Sequence, residues 1–440
     1  MRRHTGYVVL NVVGLAIGLA GCLLMACFVA SEWSVDRFHA DADRTFRVVQ
    51  DLDRGGSAWT GGAHAELLRQ TSAGVEATTR VVPEERRLTV PEGPDAEQAV
   101  FVEPAFGYVD PSFFDVFSFR LDVGDPETAL AAPGTAILSA SVARRYFGDA
   151  DPLGQVITMY DAYNEPNQVP LTVTGVLADA PGRSHLDLHV LSSISTLEGQ
   201  YGPLTQFDWP GVYTYARLAT EADPDAIAAT ATGSIPADEE ASPLRLQPLT
   251  EIHLQPQPEG EPGAMGSIAL VYGLSAMALI VLLLACINFA NLAVARASTQ
   301  VRAAGIRRSV GAQRSQLMVE SLVDTYVQIG VALVIALILV AGALPWASQI
   351  VGQDLSSVVG SGPPGVLLLI GLVVLTGLIA GGYPAVLVAR QQPALSLRGM
   401  VRHPRGTTRL RSGLVIAQFG CAVALLVGAL IVQSQVDYVR

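Results

Sequence analysis

Five apolar stretches constrain this chain more than any other feature of its sequence. A bilayer core about 30 Å thick is crossed by roughly 20 apolar residues of helix, and each stretch reaches that length. The first could instead be a signal peptide, but it exceeds the usual apolar core of roughly 7–15 residues and lacks a clear cleavage site, so we expect it to be retained. The predicted spans are residues 8–30, 268–294, 322–344, 364–388 and 412–433.

Arginine placement predicts the orientation of these spans, because Lys and Arg beside a span are enriched on its cytoplasmic side. Arginines cluster at residues 2–3, between the second and third spans, and between the fourth and fifth spans, whereas the connection 345–363 has none. We therefore predict a first helix (1–30) that starts in the cytoplasm, an extracytoplasmic domain (31–267), a cytoplasmic segment (295–321), two further spans (322–388) and a cytoplasmic basic loop (389–411).

The predicted extracytoplasmic domain is strongly acidic. It holds 36 of the 40 acidic residues and 14 of the 28 arginines, so its formal net charge is 14 − 36 = −22. That charge disfavours nucleic acid as a partner, since phosphate binding needs cationic side chains. The chain contains no lysine, so it has no phosphate-binding loop of the type whose lysine contacts the nucleotide phosphates. Without a nucleophile motif or dinucleotide fingerprint, we predict no enzyme activity and no cofactor.

The same domain has the sequence pattern of a mixed α and β fold. Apolar and polar residues alternate with the strand period in several short runs. One helix is flanked by a start signal at Ser139 or Ser141 and a stop signal at Gly148, and residues 255–266 form a Pro- and Gly-rich linker back to the membrane. The predicted strands are 135–139, 155–160, 170–179, 211–218 and 244–249, and the predicted helices are 139–148 and 223–234.

Glycines recur at close-packing spacing in two predicted spans. Gly14 and Gly18 form a G-x-x-x-G motif, as do Gly377 and Gly381, and this spacing lets helix backbones approach closely in a membrane. The motifs predict helix packing within one chain; the alternative is a contact between two copies near Gly14 and Gly18.

The connection 295–321 is the most compact basic segment of the chain and joins two predicted spans. One interpretation is that its arginines only fix the topology. The other is that it forms a short helix joined rigidly to a span, which would act as a lever because a push on it tilts the span. Gly311 can end that helix in the left-handed conformation, and the chain would resume its helix at Ser315. The side chains available for a contact are Val301, Ile306, Val310, Arg302, Arg307 and Arg308.

Four stretches of the sequence resemble the FtsX-like, MacB-type permeases of ABC transporters. They begin NVVGLAIG (11–48), VDPSFFDV (109–157), VTGVLADA (173–188) and NFANLAVA (288–321), and they follow one another in the family's order. The resemblance implies a MacB-like periplasmic core domain and an FtsX-like permease domain, in a subunit that moves no substrate through its own spans. It further implies that closure of separate cytoplasmic ATPase subunits is transmitted to the extracytoplasmic domain, a process called mechanotransmission.

By this resemblance the segment from Val301 to Gly311, with Gly305 at its centre, docks on the ATPase. The chain departs from the family in two ways. Relatives commonly carry an acid two residues before the glycine, where this chain has Ala303. Many relatives also continue through a second extracytoplasmic domain and three more spans, so we interpret 412–440 as a fifth span that starts an incomplete second half, against the alternative of a natural five-span form.

Three sets of polar residues could carry chemistry. On a strand, His185, Asp187 and His189 would share one face, which suits either a solvated strand surface or zinc binding; the resemblance expects no metal. Glu320 and Asp324 lie one turn apart at the start of the third span and could reach the interface, pair with Arg314 and Arg296, or transmit motion. The polar residues predicted to form interhelical hydrogen bonds are Asn288, Asn291 and Gln328.

The sequence therefore predicts an α-helical membrane protein of about five spans with a large extracytoplasmic α+β domain between spans one and two. We expect a bacterial inner-membrane permease that works in export or efflux, with a cytoplasmic ABC ATPase, the lipid bilayer and a second permease as partners and a periplasmic adaptor as a further one. The first alternative is a scaffold that uses the same motion to regulate an extracytoplasmic hydrolase or sensor kinase. The second is a membrane-anchored metalloenzyme that uses His185 and His189.

Overall fold

The computed structural model divides the chain into two compact units. One is an α+β domain, Glu32–Ile268, and the other is a helical unit formed by the helices before and after it in the sequence. The predicted loop 389–411 and fifth span 412–433 lie outside the described residues, apart from 389–390 and a few isolated positions. The structure describes residues 2–51, 56–90, 99–160, 168–180, 182–207, 211–237, 239, 242–255, 258–261, 266–355, 362–390 and isolated positions from 413 to 427.

Three helices of the described residues are long and apolar enough to cross a membrane: Val8–Trp33, Ile268–Ala293 and Arg314–Val351. They coincide with the first three predicted spans. The fourth predicted span lies within a further helix, Gly362–Arg390, which includes the apolar stretch Leu369–Gly382. The helices of this unit are α1 (Arg2–Trp33), α7 (Ile268–Ser309), α8 (Arg314–Val351) and α9 (Gly362–Arg390).

The core of the helical unit consists mainly of small and aliphatic side chains. Leu15 and Leu19 of α1, Phe289 of α7 and Ala332 of α8 are each no more than 1% exposed and belong to one buried cluster. Small residues at such contacts let helix backbones approach closely, which supplies the van der Waals packing that holds helices together in lipid.

The α+β domain contains ten strands within its described residues, all joined in one sheet. The strands are β1 (Thr45–Gln50), β2 (Val75–Val90), β3 (Ala99–Val109), β4 (Leu121–Val123), β5 (Thr135–Ser139), β6 (Val156–Tyr160), β7 (Gln168–Leu177), β8 (Val190–Ser193), β9 (Tyr213–Leu218) and β10 (Leu244–Pro248). The helices are α2 (His64–Thr71), α3 (Phe113–Val116), α4 (Ala140–Phe147), α5 (Ile194–Tyr201) and α6 (Pro224–Gly233).

Six of these strands close into a ring. Strand β2 pairs with β3, β3 with β8, β8 with β5, β5 with β7, β7 with β6, and β6 again with β2. Alternate residues of the ring strands, such as Phe106 and Tyr108 or Ile157 and Met159, join one buried cluster. This alternation follows from the two-residue period of a strand, which sends successive side chains to opposite faces.

The long strand β2 also belongs to a second part of the sheet, which is covered by helices. Beyond β2 the sheet continues in the order β9, β1, β10, and helices α2 and α6 cover one face of these strands. Leu68 of α2 and Ile227 of α6 belong to the same buried cluster as Val48 of β1 and Leu246 of β10. A ring and a helix-covered sheet thus share a single strand, and this arrangement is the α+β class that the sequence predicts.

The local signals of the domain agree with the structure at several points. The side chain of Ser139 accepts a hydrogen bond from the Val142 N–H at the start of α4, and Gly148 ends this helix with φ +60°. One sequence interpretation is wrong, because residues 184–189 are irregular backbone rather than a strand. Within the predicted linker, residues 258–261 are bonded to the domain, where Ser57 forms a bridge with Glu259.

Candidate functional site

The turn between α7 and α8 has the geometry of a glycine-terminated helix. Helix α7 ends at Ser309, and Gly311 follows with φ +105°. The N–H of Ala312 donates to the carbonyl of Arg307 at 3.1 Å, which is the six-to-one bond of a Schellman motif. The prediction that Gly311 ends this helix is confirmed. Helix α8 then begins at Arg314, one residue earlier than expected.

Apolar and basic side chains project from this turn into solvent. Ile306 is 49% exposed and Val310 is 84% exposed, and Arg307 between them is also exposed. Exposed aliphatic side chains in a group are a feature of protein interaction sites. Four other residues predicted to dock belong to α7, but their side-chain surroundings lie outside the described part of the chain: Val301, Arg302, Gly305 and Arg308.

An ion pair joins the two helices across the turn. Arg307 Nη1 donates to both carboxylate oxygens of Glu320, each at 2.7 Å. The sequence suggested Arg314 and Arg296 as partners, and the side chain of Arg296 lies outside the described part of the chain. Both side chains are more than half exposed, so solvent screens the pair and it adds little to stability. The pair therefore orients the turn more than it stabilises it.

Among the polar residues farther along these helices, Gln328 bonds within its own helix and Asn288 lies against another helix. Gln328 donates to Asp324 at 3.2 Å within α8, so this contact is within one helix rather than between helices. The amide nitrogen of Asn288 lies 3.4 Å from the position that a Cβ on Gly14 would occupy, which brings this residue of α7 against α1.

Both glycine motifs face helices of the same chain. A Cβ on Gly18 would lie 2.5 Å from the Cβ of Ala285 in α7, and a Cβ on Gly381 would lie 2.7 Å from Thr325 in α8. A Cβ on Gly377 would similarly overlap the ring of Tyr326 at 2.3 Å. Only glycine allows these approaches, and the geometry corresponds to packing within one chain.

The structure separates the two histidines that the sequence placed on one face. His185 is buried, and its Nδ1 and Nε2 lie 2.8 Å from the carboxylate of Asp36 and from the hydroxyl of Tyr215. His189 is about half exposed and pairs with Asp187 at 3.3 Å; this hydrogen bond raises the pKa of His189. The described residues contain no group of three His, Cys, Asp or Glu side chains placed to hold a metal ion. The strand-based zinc geometry is therefore wrong.

Sequence reasoning missed the buried ion pairs of the α+β domain. The Arg47 guanidinium, with no exposed side-chain surface, donates to Glu261 at 2.8 Å and to Gln247 at 2.8 Å. Glu32, which is 3% exposed, accepts hydrogen bonds from Arg183 and His253, each at 3.0 Å. The sequence contained one signal for these buried ion pairs, the acidic Glu32 directly after an apolar stretch. It gave no indication of which residues pair with Glu32.

A groove of about 670 Å³ lies beside α2 in the same domain. Arg80 is among its lining residues and pairs with Asp110 at 2.8 Å and with Glu198 at 3.1 Å. Burial alone would lower the pKa of Arg80, but the hydrogen bond and charge of Asp110 keep it raised. Because one guanidinium meets two carboxylates, this ion-paired cluster carries one net negative charge.

Comparisons with known proteins give two family matches. The model of the MacB-like periplasmic core domain matches residues 8–233, and the model of the FtsX-like permease C-terminal domain matches residues 275–393. A search of curated proteins found no match.

Solved structures resemble part of the chain at low identity. A permease domain from Porphyromonas gingivalis has 21% identity and a TM-score of 0.40, and covers 48% of this chain and 92% of its own. The periplasmic region of MacB from Actinobacillus actinomycetemcomitans has 14% identity and a TM-score of 0.37, over 49% of this chain and 92% of its own. The extracellular domain of the ABC-type transporter YknZ from Gram-positive bacteria has 13% identity and a TM-score of 0.34, and the match covers 46% of this chain and 99% of that domain.

Proposed function

Because the chain belongs to the family of ABC transporter permeases with a MacB-like periplasmic core domain and an FtsX-like permease domain, we propose that it transmits the motion of a separate ATPase to its α+β domain. Members of this family work with a cytoplasmic ABC ATPase. In this proposal the protein lies in the bacterial inner membrane, with the α7–α8 turn in the cytoplasm and the α+β domain outside. Nucleotide-driven closure of the ATPase displaces the turn, and the helices carry that displacement outward.

The continuity of α7 is the observation that carries the proposal. This helix runs for 42 residues without a break, from Ile268 to Ser309, and at 1.5 Å per residue it is about 63 Å long. Its first residue is the last residue of the α+β domain, and its last turn carries the exposed Ile306. A continuous helix resists bending because each turn is hydrogen-bonded to the next, so a push at one end is felt at the other.

The docking surface in this proposal is the end of α7. Ile306 and Val310 supply apolar area, and Arg307 supplies a positive charge beside them. Apolar contact gives a docking site its affinity, whereas charge mainly contributes to specificity and association rate. Loss of Ile306 should therefore weaken the complex more than loss of Arg307.

A permease dimer belongs to the same proposal, but Gly14 and Gly18 do not supply its contact. Both positions of α1 are packed against α7 of the same chain. The exposed face of α1, which includes Leu10 and Ile17 at 61% exposure each, remains open to lipid or to a second copy. Cross-linking through cysteines at these two positions tests the dimer directly.

Co-purification with the ATPase tests the docking step. We expect the wild-type chain to retain the ATPase and an Ile306→Asp, Arg307→Glu double variant to lose it. The Arg307 change also breaks the pair with Glu320, so Glu320→Gln is the matched control and should retain the ATPase. A chain with Arg307→Glu and Glu320→Arg keeps an ion pair but reverses its direction, and we expect weakened binding. Equal recovery of the ATPase with every variant would refute docking at this turn.

Export and regulation differ in what the moving domain acts on. Export predicts that cells lacking the chain accumulate a compound that the wild type expels. Regulation predicts unchanged efflux and altered activity of an extracytoplasmic hydrolase or sensor kinase. We favour export. A bacterial strain that carries the docking-deficient Ile306→Asp variant, compared with wild type in an efflux assay and in a hydrolase or kinase assay, distinguishes export from regulation.

A further inference from the structure

The α+β domain has two covalent connections to the helices, one leaving α1 and one entering α7. Glu32 is the penultimate residue of α1, and Gly266 lies two positions before the start of α7. Both residues belong to the α+β domain as the structure divides the chain. The packing around Glu32 brings the two connections together inside this domain.

The two oxygens of the Glu32 carboxylate have different partners. Oε1 accepts from Arg183 Nη1 at 3.0 Å, and Oε2 lies 3.0 Å from His253 Nε2. Side-chain exposure is 3% for Glu32 and 6% for His253, so this contact is shielded from water, which strengthens it relative to a surface pair. One carboxylate therefore links a loop of the domain to the segment that returns to α7.

The return segment is bonded at the same place. The N–H of Gly266 donates to the carbonyl of His253 at 3.0 Å. A Cβ on Gly266 would lie 2.5 Å from Glu32 Oε2 and 2.6 Å from His253 Nε2. This position is therefore in direct contact with the ion pair, and only a residue without a side chain fits there.

The outgoing segment is fixed to the same loop by a second carboxylate. The N–H of Asp36 donates to the carbonyl of Arg183 at 2.8 Å, and the Asp36 side chain accepts from the Ser184 hydroxyl at 2.6 Å and from the His185 N–H at 3.2 Å. Asp36 is fully buried and has φ +61°, a conformation that Asp adopts more readily than most residues. The loop 183–185 is thus held by both acids of the outgoing segment.

We propose that Glu32 is a positioning residue that ties the outgoing and return connections of the α+β domain together, so that a displacement of one is passed to the other. The inference rests on the proposed function, because it assigns a residue to the transmission step of that function. Without the tie, each connection would move by itself, and closure of the ATPase would bend the connections rather than shift the domain.

Hydrogen exchange of the full chain in detergent tests the tie without the ATPase. Glu32→Ala should accelerate exchange in peptides that cover 34–39, 182–186 and 253–255 by roughly tenfold or more, because a buried group left without its partner opens locally at lower cost. Glu66→Ala removes an acid from an exposed pair with Arg69 and should change none of these peptides. Unchanged exchange in Glu32→Ala would overturn the proposal.

A second variant covers the case in which Glu32→Ala unfolds the whole domain. His253→Gln leaves the contact between Glu32 and Arg183 in place, so it should accelerate exchange only in the return segment. If both segments exchange as in wild type, the tie does not exist. Ile157→Val removes a methyl group from the buried cluster of the ring and is the control for a general loss of stability.

The same measurement on the complex with the ATPase separates the two proposals. In wild type, addition of ATP should change exchange in both connections. In Glu32→Ala it should change only one of them, whereas Ile157→Val should respond as wild type does. A wild-type complex with no response to ATP would tell against the proposed function alone, and a Glu32→Ala complex with both responses would tell against the tie alone.

Discussion

Replacement of Glu261 by alanine should destabilise the α+β domain more than any surface change. Glu261 is held against Arg47 of β1, and the side chains are 6% and 0% exposed. Burial lowers the pKa of Arg47, but the hydrogen bond and charge of Glu261, together with the nearby Tyr215 and Tyr213, more than offset this effect, and the pKa is raised. The guanidinium therefore stays charged, and Glu261→Ala leaves it buried with Gln247 as its remaining side-chain partner.

The size of the effect follows from the burial. Removal of one partner from a buried ion pair costs about 3–5 kcal/mol, because the other charge remains without compensation. For a domain of this size each kcal/mol lowers the melting temperature by roughly 2–4 °C. We therefore expect Glu261→Ala to lower the melting temperature of the domain by roughly 6–20 °C.

Tryptophan fluorescence of the full chain in detergent measures this shift. Trp59 is suited as the reporter, because its Nε1 donates to the Tyr213 hydroxyl at 2.7 Å, and that hydroxyl donates to the carbonyl of Gly260, next to Glu261. Glu66→Ala is the matched control, since its pair with Arg69 is exposed and should contribute no more than about 1 kcal/mol.

A double-mutant cycle decides whether the pair itself is responsible. The double variant Arg47→Ala, Glu261→Ala should lose less stability than the sum of the losses in the two single variants, because it leaves no unpaired charge. We expect a coupling free energy of about 2–3 kcal/mol between the two positions. The reasoning is refuted if Glu261→Ala costs less than about 1 kcal/mol, the value of a surface pair, or if the two changes are additive.

Three further predictions concern the helical unit and the histidine beside the outgoing connection. Gly311→Ala places a Cβ at φ +105° and should lower the local free energy of unfolding by about 1–2 kcal/mol, which hydrogen exchange detects as faster exchange at the end of α7. Gly330→Ala is the control, because a Cβ there meets nothing within 4 Å, and it should leave exchange at the end of α7 unchanged. Gly18→Ala should lower the free energy of unfolding by about 1–3 kcal/mol through overlap with Ala285, measured as a lower melting temperature in detergent. A decrease in melting temperature smaller than that of Gly330→Ala would contradict this prediction. Burial lowers the pKa of His39 in the folded protein to about 4. As pH falls below about 6.5, the unfolded chain therefore binds a proton at this residue before the folded protein does. The free energy of unfolding should decrease by up to about 3 kcal/mol between pH 6.5 and pH 4. His39→Gln should flatten this acid dependence in melting experiments, and an unchanged slope would show that other groups cause it.

The sequence predicted features that depend on neighbouring residues. The start of α4 at Ser139 and its end at Gly148 follow from bonds within one turn of helix, and Gly311 ends α7 for the same reason. Strand β2 was not predicted, although it is 16 residues long. Its pairing with β3 shifts register between Glu84 and Arg86, and such a bulge interrupts the alternation that marks a strand.

By itself, the sequence determined that the chain has long apolar helices around an acidic α+β domain and that it lacks a phosphate-binding lysine, because composition and local spacing carry that information. Only the tertiary structure decided which polar groups meet. Arg47 and Glu261 are 214 positions apart, and Glu32 and His253 are 221 positions apart. Their pairing depends on how β1, loop 183–185 and the return segment pack, and the cost of burying an unpaired charge makes these pairings specific.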